Sequence, residues 1–162
     1  MHRTRQPTCL EVGFPSQTRG EREQLEARGT HIICELSGCD ARILTDVDRV
    51  RSIMVEAAHE ANAEILKVAF HRFQPQGVSG VVVIAESHLS IHTWPESGYA
   101  AVDFYTCGDH TDPWRACTYA AKRLGTQTML TTEVKRGIAS TNGQYTHVVL
   151  EHAGRSLAKR SA

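Results

Sequence analysis

No stretch of this sequence is apolar for long enough to cross a bilayer. The longest apolar run, Val81 to Ala85, falls far short of the roughly 20 residues that a spanning helix needs. The N-terminus carries His2, Arg3 and Arg5 but lacks the apolar stretch that makes a secretory signal. Net charge is missing too, because 18 Lys plus Arg balance 18 Asp plus Glu. That balance argues against a broad electrostatic nucleic-acid surface, though not against a local patch. The five cysteines, Cys9, Cys34, Cys39, Cys107 and Cys117, are odd in number and include no C-x-x-C pair. A disulfide framework and a cysteine-built zinc site are both disfavoured. The expectation is a cytoplasmic protein with reduced thiols and neither membrane nor nucleic acid as partner. Internal repeats and low-complexity tracts are also absent.

What is present suits one soluble domain: 162 residues, 41% hydrophobic and 22% charged, enough to bury a core without staples. Residues 1–29 are polar and broken by Pro7, Gly13, Pro15 and Gly20. They read as a partly mobile extension, with a short helix possible over Glu21 to Arg28. The domain itself is expected over 30–151. Residues 152–162, with Arg155, Lys159 and Arg160, read as a solvated basic tail.

Within the domain, Thr30 to Leu36 is β-branched and apolar, and reads as a strand. Thr45 followed by Asp48 offers a helix cap, after which Val47, Val50, Met54, Ala57, Ala58 and Ala61 recur at helical spacing. Extended runs follow at Glu64 to Phe73, Ser79 to Ala85, His88 to Trp94 and Tyr99 to Cys107. Asp112 then caps a helix with Pro113 at its first position. Trp114, Cys117, Ala121 and Leu124 line one face, and Gly125 supplies the stop. Thr126 to Val134 closes as a strand, and Gln144 to Leu150 offers one more. The expected fold is α+β, a two-layer sandwich of antiparallel sheet with two helices on one face, in the order β-α-β-β-β-α-β. Such a sandwich leaves one sheet face open. The central strands carry large groups on both faces, Leu89 and Ile91 against Trp94, and Val102 and Phe104 against Tyr105. A homodimer through the open face is expected.

Chemistry concentrates in one region. Glu86-Ser87-His88 lies at the junction of two extended runs, and His88, Ser90 and His92 share a strand face. A hairpin near Glu96 to Gly98 lays the strand ending at Cys107 back along that face. Ser87, His92 and Cys107 are thereby expected in one neighbourhood. Taken singly, Ser87 reads as a surface serine, His92 as a sheet histidine and Cys107 as a small core residue. Trp94, Trp114 and the Val81 to Ile84 run read as core. A metal site is disfavoured, since no carboxylate or cysteine stands at ligand spacing from the histidines.

The run GVSGVVVIAESHLSIHTWPESGYAAVDFYTCG, residues 77–108, resembles the short prokaryotic type of S-adenosylmethionine decarboxylase. FHRFQPQ before it and Asp112-Pro113-Trp114 after it fit the same family. The likeness covers Thr30 to Val134, and neither end of the chain shares it.

This resemblance implies a proenzyme that cuts itself between Glu86 and Ser87. The Ser87 hydroxyl attacks the Glu86 carbonyl in an N-to-O acyl shift; elimination and hydrolysis then leave a pyruvoyl group at position 87. The resemblance gives the proton-abstracting role to His92, and imidazole suits it, since its ordinary pKa permits both roles near neutrality. It gives a supporting hydroxyl to Ser79 and the substrate-protonating thiol to Cys107. The pyruvoyl carbonyl takes up the substrate amine as a Schiff base while carbon dioxide leaves. Phe73 is implied to stack on adenine and Glu96 to bind the ribose hydroxyls. The implied product is the aminopropyl donor for spermidine synthesis, made by a homodimer of αβ units with sites at the subunit boundary. Two alternatives stay open at this point: the same chemistry on arginine or ornithine, and an uncleaved, non-enzymatic binding domain.

Overall fold

The computed structural model describes residues 27–107 and 110–156, the last six by backbone alone. Residues 1–26 of the expected extension, most of the Glu21 to Arg28 helix, and the tail residues Lys159 and Arg160 lie outside the described residues. The elements are β1 (Gly29–Ser37), α1 (Ala41–Thr45), α2 (Val47–Glu60), β2 (Glu64–Arg72), β3 (Val78–Ala85), β4 (Ser87–Trp94), β5 (Tyr99–Cys107), α3 (Pro113–Arg123), β6 (Thr128–Ala139) and β7 (Tyr145–Ser156). A short 3-10 turn, Pro95–Ser97, joins β4 to β5. All seven strands form one antiparallel sheet in the order β2-β3-β4-β5-β1-β6-β7.

The expected α+β sandwich is therefore present. The alternation in the central strands decides which face the helices cover. Ile32, Cys34 and Leu36 of β1, Leu89 and Ile91 of β4, and Val102 and Phe104 of β5 are all buried. They pack under α2 and α3, with α2 against β2 and β3, and α3 against β1 and β5. Burying a side chain such as Phe104 or Leu89 contributes about 1.5–3 kcal/mol, and one strand face supplies several. Among the described residues, no layer covers the opposite face.

Several sequence expectations shift. Four strands lie between the helices, where the expected order counts three; each corresponds to one of the extended runs read from sequence. The cap of α2 is Asp46, whose carboxylate accepts from the amides of Asp48 and Arg49. Thr45 instead donates its hydroxyl to the Ala41 carbonyl, because a preceding turn of helix, α1, ends there. Trp94 and, in the Val81 to Ile84 run, Val83 are 42% and 37% exposed and not core, since both side chains lie on the open face with His88 and His92. The Asp112 cap and Pro113 start of α3 stand as expected. β7 continues to Ser156, so its last residues occupy the stretch expected as tail.

Candidate active site

The register separates the candidate residues into two groups at opposite ends of β4. Ser87, at the start of the strand, pairs with Thr106 of β5. Next to that pair, the Cys107 amide donates to the Glu86 carbonyl at 3.2 Å. Ser87 itself holds φ at 124°, a region that side chains disfavour and that costs on the order of 1–3 kcal/mol. The strain sits directly after the Glu86–Ser87 bond. The Ser87 Oγ lies 3.3 Å from His88 Nδ1.

Cys107 is half-buried at this end, among residues that bear on its thiol. Burial, and then a hydrogen bond to Cys107, hold the Tyr105 hydroxyl above its ordinary range, so Tyr105 stays a donor at neutral pH. The Tyr105 ring lies over Gly29, where an added Cβ would meet it at 2.7 Å. The Arg136 guanidinium covers that ring at 4.6 Å from its centroid. Glycine at position 29 is thus what leaves room for the phenol.

His92 stands at the other end. It pairs across β3 with Ser79, and Ser79 Oγ lies 2.7 Å from His92 Nδ1. The Phe70 ring of β2 lies over Gly80 of β3, where an added Cβ would sit 2.1 Å from it. A cavity of about 380 Å³ opens at this end, lined by Phe73, Gln76, Ser79, His92, Trp94 and Glu96 among others. Gln76 donates to Glu96 at 3.1 Å, which fixes the carboxylate at the rim. Phe73 is 47% exposed, an unusual position for an aromatic group unless something covers it. Trp94 stacks on Tyr99 at 5.1 Å. The Tyr99 hydroxyl donates to Glu35, a bond that, with burial, raises its pKa to about 12.

His92 lies five residues beyond Ser87 on β4, about 16 Å at ~3.3 Å per residue. The expected neighbourhood therefore holds for Ser87 and Cys107 but not for His92, which lies at the other end of the same strand beside Ser79 of β3. Between the two ends, Asp103 on the open face is bonded to His31 at 3.1 Å and to the Ser90 hydroxyl at 3.0 Å. Among the described residues, no three His, Cys, Asp or Glu side chains form a group able to hold a metal. No helix there is long and apolar enough to cross a membrane.

A family model described as S-adenosylmethionine decarboxylase matches residues 30–137. The chain belongs to that family. S-adenosylmethionine decarboxylase proenzymes are among its similar relatives. The one from Caldanaerobacter subterraneus subsp. tengcongensis is 60% identical over 114 residues, covering 70% of this chain and 92% of the relative. The one from Carboxydothermus hydrogenoformans is 61% identical over 114 residues, covering 70% and 90%. The crystal structure of the adenosylmethionine decarboxylase from Aquifex aeolicus superposes with a TM-score of 0.67 at 39% identity, covering 71% of this chain and 95% of that one. The decarboxylase match takes in both ends of β4 and stops before β7.

Sequence reasoning passed over two residues of this site. Trp94 was readable as open-face from its parity with His92, yet a large aromatic suggests core. His88 was visible beside Ser87, but nothing in the sequence says which way a serine at a strand's first position points.

Proposed function

We propose that this chain cuts itself between Glu86 and Ser87 and decarboxylates S-adenosylmethionine at a site completed by two copies of the chain. The observation that carries this reading is the Cys107 amide bonded to the Glu86 carbonyl. That hydrogen bond polarises the carbonyl that Ser87 must attack, and it brings Cys107 to the same bond. The chain's own residues suit a pyruvoyl group at position 87, which would begin β4 with Cys107 beside it. When present, the group supplies an electron-withdrawing carbonyl that holds the substrate amine and accepts charge as carbon dioxide leaves.

The remaining work falls to side chains. Cys107 holds a proton for the substrate carbon, and the Tyr105 hydroxyl steadies the sulfur. Phe73 offers a face for adenine, Glu96 accepts from ribose hydroxyls, and the aromatic lining suits a sulfonium cation. His92, bonded to Ser79, removes the α-proton during processing. His92 lies about 16 Å from Ser87 along β4 and Ser79 is bonded to it from β3, so the pair acts on a second copy's Ser87. A two-fold axis near the middle of β4 sets the beginning of one strand against the end of the other, twice over. The open face favours such a partner, with Ile33, Val83, Trp94 and Leu130 all exposed on it. A cytoplasmic location belongs to the same reading. Its support is that Cys34, Cys39, Cys107 and Cys117 are all free.

Carbon dioxide release from carboxyl-labelled S-adenosylmethionine, arginine and ornithine tests the substrate. The expected result is turnover of S-adenosylmethionine alone. Turnover of an amino acid without it rejects the assignment.

A further inference from the structure

The imidazole within reach of the Ser87 hydroxyl inside one chain is that of the next residue, His88, at 3.3 Å. His92, by contrast, is engaged with Ser79 at the far end of the strand. A serine hydroxyl always lies a five-membered ring away from the carbonyl before it. The acyl shift therefore needs only a base for the hydroxyl and a donor for the carbonyl oxygen. The donor is the Cys107 amide on the Glu86 oxygen at 3.2 Å. Positioned donors of this kind favour the oxyanion that forms on attack.

We propose that His88 is a catalytic residue of the self-cleavage, taking the Ser87 hydroxyl proton as that oxygen attacks the Glu86 carbonyl carbon. The step balances without any further reactant. Ser87 Oγ bonds to the Glu86 carbon, and the oxyanion accepts from the Cys107 amide. The carbon–nitrogen bond then breaks, and the proton on His88 passes to the Ser87 nitrogen. An ester and a free amine result. The 3.3 Å separation is long for such a bond, as is common before the reacting geometry tightens. His88 faces Tyr105 across the strands, ring centroids 5.9 Å apart. The Asp103 carboxylate on β5 interacts electrostatically with His88. The labour divides accordingly: His88 serves the acyl shift within its own chain, and His92 serves the later elimination.

The proposal rests on the reading of Glu86–Ser87 as the bond that breaks, and the test keeps the two apart. Full-length chains are synthesised in a cell-free system, and fragment formation is followed with and without brief treatment with neutral hydroxylamine, which cleaves esters and, unlike alkaline hydroxylamine, spares the Asn142–Gly143 bond. Wild type is expected to cut. His88→Ala is expected to slow by at least about 100-fold, the lower range for general base catalysis, and to stay resistant to hydroxylamine. His92→Ala, with its acyl shift intact, is expected to become hydroxylamine-labile at position 87. His88→Asn keeps a hydrogen-bonding group but cannot carry a proton, and is expected to stall like the alanine variant while keeping the wild-type circular dichroism. If His88→Ala cuts within a few-fold of wild type, stalls as a hydroxylamine-labile ester, or is matched by a fast His88→Asn, His88 is not the base. If wild type itself stays whole, the underlying reading fails instead.

Discussion

The two ends of β4 make the most useful comparison in this molecule. The beginning of the strand is crowded and strained: Ser87 sits at positive φ, the Glu86 carbonyl is bonded by Cys107, and Tyr105 and Arg136 pack nearby. The far end is roomy, with exposed Phe73 and Trp94 around a cavity and Glu96 held at its edge. On the proposed reading the first end carries the bond that breaks, while the far end holds the ligand and lends His92 to the cleavage of a second copy. In the proposed dimer an antiparallel pair of copies sets opposite ends together, and among the described residues the helices on the other face leave that surface uncovered.

The sharpest way to break this comparison is to disable one end in each of two chains. Ser87→Ala alone and His92→Ala alone are each expected to be inactive. Coexpressed, they form mixed dimers in which one site has both ends intact, so about a quarter of wild-type activity should return for random pairing. No recovery would place both ends of the site in one chain.

Next in size is Cys107→Ala, which is expected to permit some cleavage while losing most turnover, about 100-fold or more. Fragment formation on a gel and carbon dioxide release separate these outcomes. At the roomy end, Phe73→Ala and Glu96→Gln should leave cleavage intact and raise KM by roughly tenfold or more, the scale of one lost charge-assisted hydrogen bond or stacking contact. Slowed cleavage with unchanged KM would reverse the roles given to the ends.

The smallest effect concerns the polar link between them. The His31 bond, opposed by burial and reinforced by Ser90, holds the Asp103 carboxyl below its ordinary range. Its contribution is therefore complete above the unfolded value of about 3.8 and is lost as pH falls toward the lower folded value. Asp103→Asn should flatten the acid limb of stability by on the order of 0.5 kcal/mol, since the group is partly solvated. Denaturant titration at pH 3 and at pH 6 checks the sign.

Much of this was legible before any coordinates. The strand runs, the Asp112-Pro113 start of α3, and the two faces of β4 and β5 follow from alternation and capping chemistry. The family resemblance implies the roles proposed for Ser87, His92 and Cys107. What sequence does not carry is register. The roughly 16 Å between Ser87 and His92 needs none, since it follows from strand spacing alone. The hairpin at Pro95 to Gly98 can be seen, but whether Cys107 comes beside Ser87 depends on how β4 slides along β5. The Asp46 cap was hidden for a similar reason: Thr45, Asp46 and Asp48 all suit a helix start, and only the preceding turn of α1 selects among them. His88 escaped because a positive φ at Ser87 turns a hydroxyl in a direction that strand parity does not foretell.

The most direct measurement is the intact mass of the purified chain, followed by borohydride treatment in the presence of S-adenosylmethionine. Two fragments are expected, the downstream one lacking a free amino terminus and gaining the mass of trapped substrate at position 87. A single species of 17.9 kDa that turns over S-adenosylmethionine, or a downstream fragment that captures nothing, would contradict the account.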